Sequence, residues 1–129
     1  MTESTLKADL VKKARAILKG WEILRHEDRF THGIPDITFT GLKRTSWWEA
    51  KYATPGFKVK GIQELKTRRL ALAGLAFFVV YWEVAGEKRT YIVDPCNIRD
   101  DISSWKRFTV GFNHEWVIGF IKEAHGNNH

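Results

Sequence analysis

Residues 33–52 read Gly33-Ile34-Pro35-Asp36-Ile37-Thr38-Phe39-Thr40-Gly41-Leu42-Lys43-Arg44-Thr45-Ser46-Trp47-Trp48-Glu49-Ala50-Lys51-Tyr52, and the fold turns on them. Ile34 to Thr40 is rich in β-branched and aromatic residues, which predicts a strand. Gly41-Leu42-Lys43-Arg44 is a hairpin turn, and Ser46 to Tyr52 is the returning strand. Alternation along that strand puts Trp47, Glu49 and Lys51 on one face and Trp48, Ala50 and Tyr52 on the other. The short turn lays the two strands side by side. Asp36, at the start of the first, is thereby expected within metal-sharing distance of Glu49 in the second.

The rest of the chain extends this hairpin into a sheet. Upstream, Leu6, Leu10, Ala14, Ile17 and Leu18 recur at three- and four-residue steps and predict a helix, capped by Thr2 or Ser4 and stopped by Gly20. Trp21 to Phe30 then reads as a strand with a charged end. Downstream, Thr54-Pro55-Gly56 opens a loop, and a second helix is expected from Lys60 to Ala73, closed by Gly74. Leu75 to Val84 is almost continuously apolar, as a strand buried on both faces requires. A turn at Glu83 to Glu87 leads into a strand from Lys88 to Val93. A poorly patterned stretch follows to Phe112, and then a helix capped by Asn113 with Trp116, Val117, Phe120, Ile121 and Ala124 on one stripe. The order α-β-β-β-α-β-β-α is an α/β chain of the α+β type, a mixed sheet with flanking helices. One domain is expected over residues 1–125, with a polar tail at 126–129.

Composition narrows the function classes. The chain has 129 residues, 43% of them hydrophobic and 28% charged, an ordinary globular balance for one domain. Its longest apolar run, Leu70 to Trp82, is broken by Gly74 and too short to span a bilayer, so no membrane partner is expected. The N-terminus lacks a signal-peptide pattern, and the expected compartment is the cytoplasm. A lone cysteine, Cys96, excludes an internal disulfide and reads as a small hydrophobe beside Pro95. The five histidines show no metal-binding spacing and read as surface or turn residues. The net charge is +6, and Lys43 to Arg69 carries eight basic residues against two acidic ones. A basic concentration of this kind suits a polyanion, with Lys43, Arg44, Lys58, Lys60 and Lys66 as candidate phosphate contacts. Trp47, sharing the face of Glu49 and Lys51, is a candidate substrate contact.

Two carboxylates at one spot repel, and a cation makes them tolerable together. Hard oxygen ligands of this kind suit Mg²⁺ or Mn²⁺, which polarise a phosphoryl oxygen and acidify water. Lys51 beside them is suited to orienting that water or stabilising charge on the phosphate.

Pro35-Asp36 followed by Glu49-Ala50-Lys51 resembles the motif of the PD-(D/E)XK nuclease superfamily. The flanks are similar to its VRR-NUC family: Gly33-Ile34-Pro35-Asp36-Ile37, Trp48-Glu49-Ala50-Lys51, Gln63 early in the second helix and Leu75-Ala76-Phe77-Phe78-Val79. The resemblance covers about Glu3 to Trp82. It implies a restriction-endonuclease-like fold and a metal-dependent DNA endonuclease. Asp36 and Glu49 would be metal ligands, joined by the Ala50 main-chain carbonyl, and Lys51 the catalytic lysine. Glu3 and Gln63 would be supporting residues that position water or the DNA backbone. The resemblance also implies a homodimer similar to Holliday-junction resolvases. The resulting expectation is a structure-selective endonuclease acting on branched DNA. The alternatives are nicking of flap or duplex DNA, a non-catalytic nucleic-acid-binding domain and a Trp-rich protein-interaction module.

Overall fold

Hydrophobic periodicity switches along the chain from helical to alternating and back, and the computed structural model follows those switches closely. It describes residues 1–26, 35–57 and 61–126, with the side chains of 61–63 left aside. The elements are α1 (Glu3–Ile17), β1 (Glu22–Arg25), β2 (Ile37–Gly41), β3 (Arg44–Ala53), α2 (Gly61–Ala73), β4 (Leu75–Val84), β5 (Glu87–Val93), β6 (Phe108–Val110) and α3 (His114–Gly126), with two 3₁₀ turns at Pro95–Asn97 and Ile102–Ser104. The strands make one sheet in sequence order. Every pair is antiparallel except β3 and β4, which run parallel because α2 carries the chain back between them. This is the expected restriction-endonuclease-like mixed sheet with flanking helices. No helix among the described residues is long and apolar enough to cross a membrane.

Local chemistry accounts for most element ends. Thr2 Oγ1 accepts the Thr5 amide and caps α1. The β2–β3 turn places Leu42 and Lys43 at φ 53° and 65°, the doubly left-handed turn that matches strand twist. Asn113 Oδ1 caps α3 through the Trp116 amide at 2.9 Å. Gly41 is required by a close approach, since a Cβ there would fall 2.1 Å from the Trp21 ring.

Several expectations need correction. The first strand ends at Arg25, and residues 27–30 of the expected span lie outside the described residues. β2 begins at Ile37, so Asp36 stands just before it rather than inside it. β6 was not expected at all; three residues are too few to show a period, and β5 supplies its order. On α1, Val11 is buried and Ile17 is not. On α3, the buried residues are Val117, Ile118, Ile121 and His125, with Trp116 and Phe120 only packing at the side. His125, read as a surface residue, is 1% exposed, where its ring meets the Gly41 carbonyl oxygen at 3.0 Å and Ser46 Oγ at 2.7 Å. Cys96 is exposed rather than packed. Gly126 still belongs to α3, and 127–129 lie outside the described residues.

The sheet separates two cores. On one face α1 and α3 bury Leu6, Leu10, Val11, Ala14, Val117 and Ile121 against Ile37, Trp48, Ala50 and Tyr81. On the other, Phe78, Val80, Tyr91 and Val93 pack with Ile98 and Trp105 from the segment after β5.

Candidate active site

The hairpin register decides what Asp36 meets. Ile37 pairs with Trp48, so Asp36 lies beside the stretch Glu49–Ala50. β3 runs on past the end of β2, and side chains take over the ladder. The Ala50 amide donates to Asp36 Oδ2 at 3.4 Å, and the Tyr52 amide donates to Glu3 Oε1 at 3.2 Å. In a strand the N–H and C=O of one residue project to the same side, so the Ala50 carbonyl also faces Asp36. Glu3 thus reaches β3 from the first turn of α1, at the residue that follows Lys51.

Lys51 Nζ lies 3.3 Å from Glu49 Oε2, and Glu49 is fully buried. Burial, and then the Asp36 carboxyl hydrogen-bonded beside it, push Glu49 up to about 9, with Lys51 and Lys7 pulling the other way. A second cationic group stands beside the two carboxyls. Lys7 Nζ is 2.8 Å from Asp36 Oδ2 and 3.2 Å from Glu3 Oε2. Burial works against its charge, but Asp36, Glu3 and Glu49 outweigh that and hold the ammonium above its ordinary range. Sequence reading missed Lys7. Its signal was the four-residue spacing from Glu3, which places both on one face of α1.

The donor set fits a hard divalent cation: two carboxylates that repel, and a main-chain carbonyl between them. Among the described residues no group of three His, Cys, Asp or Glu side chains could hold a metal ion; Asp36, Glu49 and the Ala50 carbonyl are the donors that would be offered to one here.

The other expected site residues either lie outside the described residues or stand elsewhere on the hairpin and α2. Gln63 lies in the first turn of α2, with its side chain outside the described residues. Lys58 and Lys60 lie outside the described residues as well. Trp47 stacks on His26 with ring centroids 5.4 Å apart and is half-buried. Lys66 is exposed on α2. Lys43 and Arg44 occupy the hairpin tip; Arg44 is five strand residues from Glu49, about 17 Å along β3. The structure does not bring them to the carboxylates. A cavity of about 380 Å³ lined by Arg68, Leu72, Phe77 and Cys96 opens at the opposite end of α2 from Gln63 and is separate from this site.

No protein-family model matches the chain, and no curated protein matches it in sequence. Among solved structures it is similar to Hjc, a Holliday junction resolvase from the archaeal hyperthermophile Archaeoglobus fulgidus, at 14% identity over 96% of this chain and 95% of that one, with a TM-score of 0.54. At that identity the two share a fold, the mixed sheet that sets Asp36 beside Glu49.

Proposed function

We propose that the chain is a divalent-metal-dependent DNA endonuclease of the PD-(D/E)XK superfamily, VRR-NUC-like in its motifs and selective for branched DNA such as four-way junctions. The observation that carries this reading is the meeting of Asp36 with Glu49, with Lys51 at 3.3 Å from the buried carboxyl. A structural ion pair has no need of a second carboxyl at the same spot, where it raises the energy of both. The fold shared with a Holliday junction resolvase supports the choice of substrate.

Asp36, Glu49 and the Ala50 carbonyl would hold Mg²⁺ or Mn²⁺. When bound, such a cation supplies Lewis-acid chemistry toward a phosphodiester. Lys51 orients the attacking water and stabilises charge developing on the phosphate oxygens. Glu3 and Lys7 brace this arrangement from α1: Glu3 holds the Tyr52 amide and Lys7 holds Asp36. One site cuts one strand, so coordinated cutting of a junction calls for two copies, most simply a two-fold dimer.

The test is cleavage of a labelled four-way junction beside matched flap and linear duplex, with Mg²⁺, Mn²⁺ or EDTA, for wild type and Lys51→Ala. The expected result is metal-requiring cutting, greatest on the junction and lost in the variant. Tight binding with no cutting under any condition would overturn the nuclease. Equal cutting of duplex and junction would overturn only the branch selectivity. Sedimentation that finds only monomer, with and without junction DNA, would overturn the dimer.

A further inference from the structure

We infer a second nucleic-acid contact on this domain: a stacking platform for an unpaired nucleobase, built from Trp82, Arg89 and Phe108. It rests on the nuclease reading for the path of the strand.

Cross-strand register places it. Lys51 is paired with Val80, Val80 with Tyr91 and Tyr91 with Phe108, so these four side chains share one face and form one row. Two residues further along is a second row on that face: Ala53, Trp82, Arg89 and Val110. The Arg89 guanidinium lies 5.3 Å from the Trp82 ring centre and 5.0 Å from that of Phe108, and Nη1 donates to the Tyr91 hydroxyl at 3.1 Å. One planar cation is thus fixed between two aromatic rings. Glu87 approaches it only at 3.7 Å, in an exposed pair that screening makes weak.

Trp82 packs at the edge of the core that Tyr91 and Trp105 close, whereas Phe108 is 42% exposed and the Arg89 side chain 37%. Aromatic rings and guanidinium planes stack on base faces of any sequence. By strand spacing Trp82 lies about 8 Å from Lys51. A strand whose phosphate rests at Lys51 therefore carries its neighbouring base over Trp82. A paired base is already stacked within its duplex, so the platform selects bases at branch points, flaps and strand ends. This gives branch selectivity a physical source that the carboxylate site alone lacks.

The test is equilibrium binding in EDTA of three fluorescent probes: a short single strand, the same strand with abasic residues, and a fully paired duplex. The proteins are wild type, Phe108→Ala and Arg89→Lys; the first variant removes a partly exposed ring, and the second keeps the charge and loses the plane. Wild type is expected to bind the intact strand about tenfold tighter than the abasic one. Each variant is expected to lose most of that preference while duplex binding changes less than twofold. Equal affinity for intact and abasic strands, or variants that keep the preference, would overturn the platform and leave the nuclease reading standing. A wild type that binds none of the probes would overturn both.

Discussion

α1 and α2 flank the same sheet from opposite faces and are built on opposite rules. α1 buries Leu6, Leu10, Val11 and Ala14, and of its charged residues only Glu3 and Lys7 are brought to the site. α2 buries Glu64 and Thr67, while Leu65 and Leu72 stand 51% and 91% exposed. Glu64 is held by the exposed arginines Arg68 and Arg99. The face that α2 covers is also the one to which Glu49 and Lys51 point. One face is closed by apolar residues of α1 and α3, while the other buries the charges of Glu49 and Glu64 beside its apolar core, which is costly unless something binds there. Local rules that fail together are expected where a site is built, and that is the side to which the proposed function assigns Asp36 and Glu49.

Four changes break or sharpen that contrast, from the largest effect to the smallest. Glu49→Gln is expected to lower cleavage about a hundred- to a thousand-fold. In EDTA at pH 7 its melting temperature should barely move, because burial pushes the Glu49 carboxyl up to about 9 and Gln copies the neutral form. Mg²⁺ should raise the melting temperature of wild type and not of the variant. On the other face, Leu10→Ala is expected to destabilise by about 3 kcal/mol in denaturant titration, with unchanged activity per folded molecule.

His125 gives the closed face an acid limit. Burial lowers its pKa, with the Gly41 carbonyl opposing and Arg44 adding to the fall. Its contribution to stability is present above the unfolded value of 6.5 and is lost as pH falls through the lower folded value, since only the unfolded chain takes up the proton readily. Melting followed from pH 7.5 to 5 should show a shallower loss in His125→Gln than in wild type. Leu72→Ser, the counterpart of the Leu10 change on α2, is expected to alter stability by less than about 0.5 kcal/mol.

Much of this was legible in the sequence where a long pattern met a clear boundary. β4 runs from Leu75 to Val84 as its apolar run and flanking glycines predict. The hairpin gave the neighbourhood of Asp36 and Glu49 because strand period and turn length suffice for register. What escaped depends on contacts distant in sequence. His125 is buried because Gly41 and Ser46, some eighty residues earlier, supply its partners. Lys7 became part of the site only once α1 was laid across β3. Lys43 and Arg44 were candidate phosphate contacts by charge alone, and the extended strands carry them to the far end of the hairpin. Cys96 follows a buried proline yet turns outward on a 3₁₀ turn that no periodicity announces.

The central claim is that Asp36 and Glu49 are brought together to hold a cation. Calorimetric titration of Mn²⁺ into wild type and Asp36→Ala tests it without requiring turnover. A saturable site in wild type, weakened at least about tenfold in the variant, is the predicted result. Equal binding to both proteins, or none to either, would contradict it.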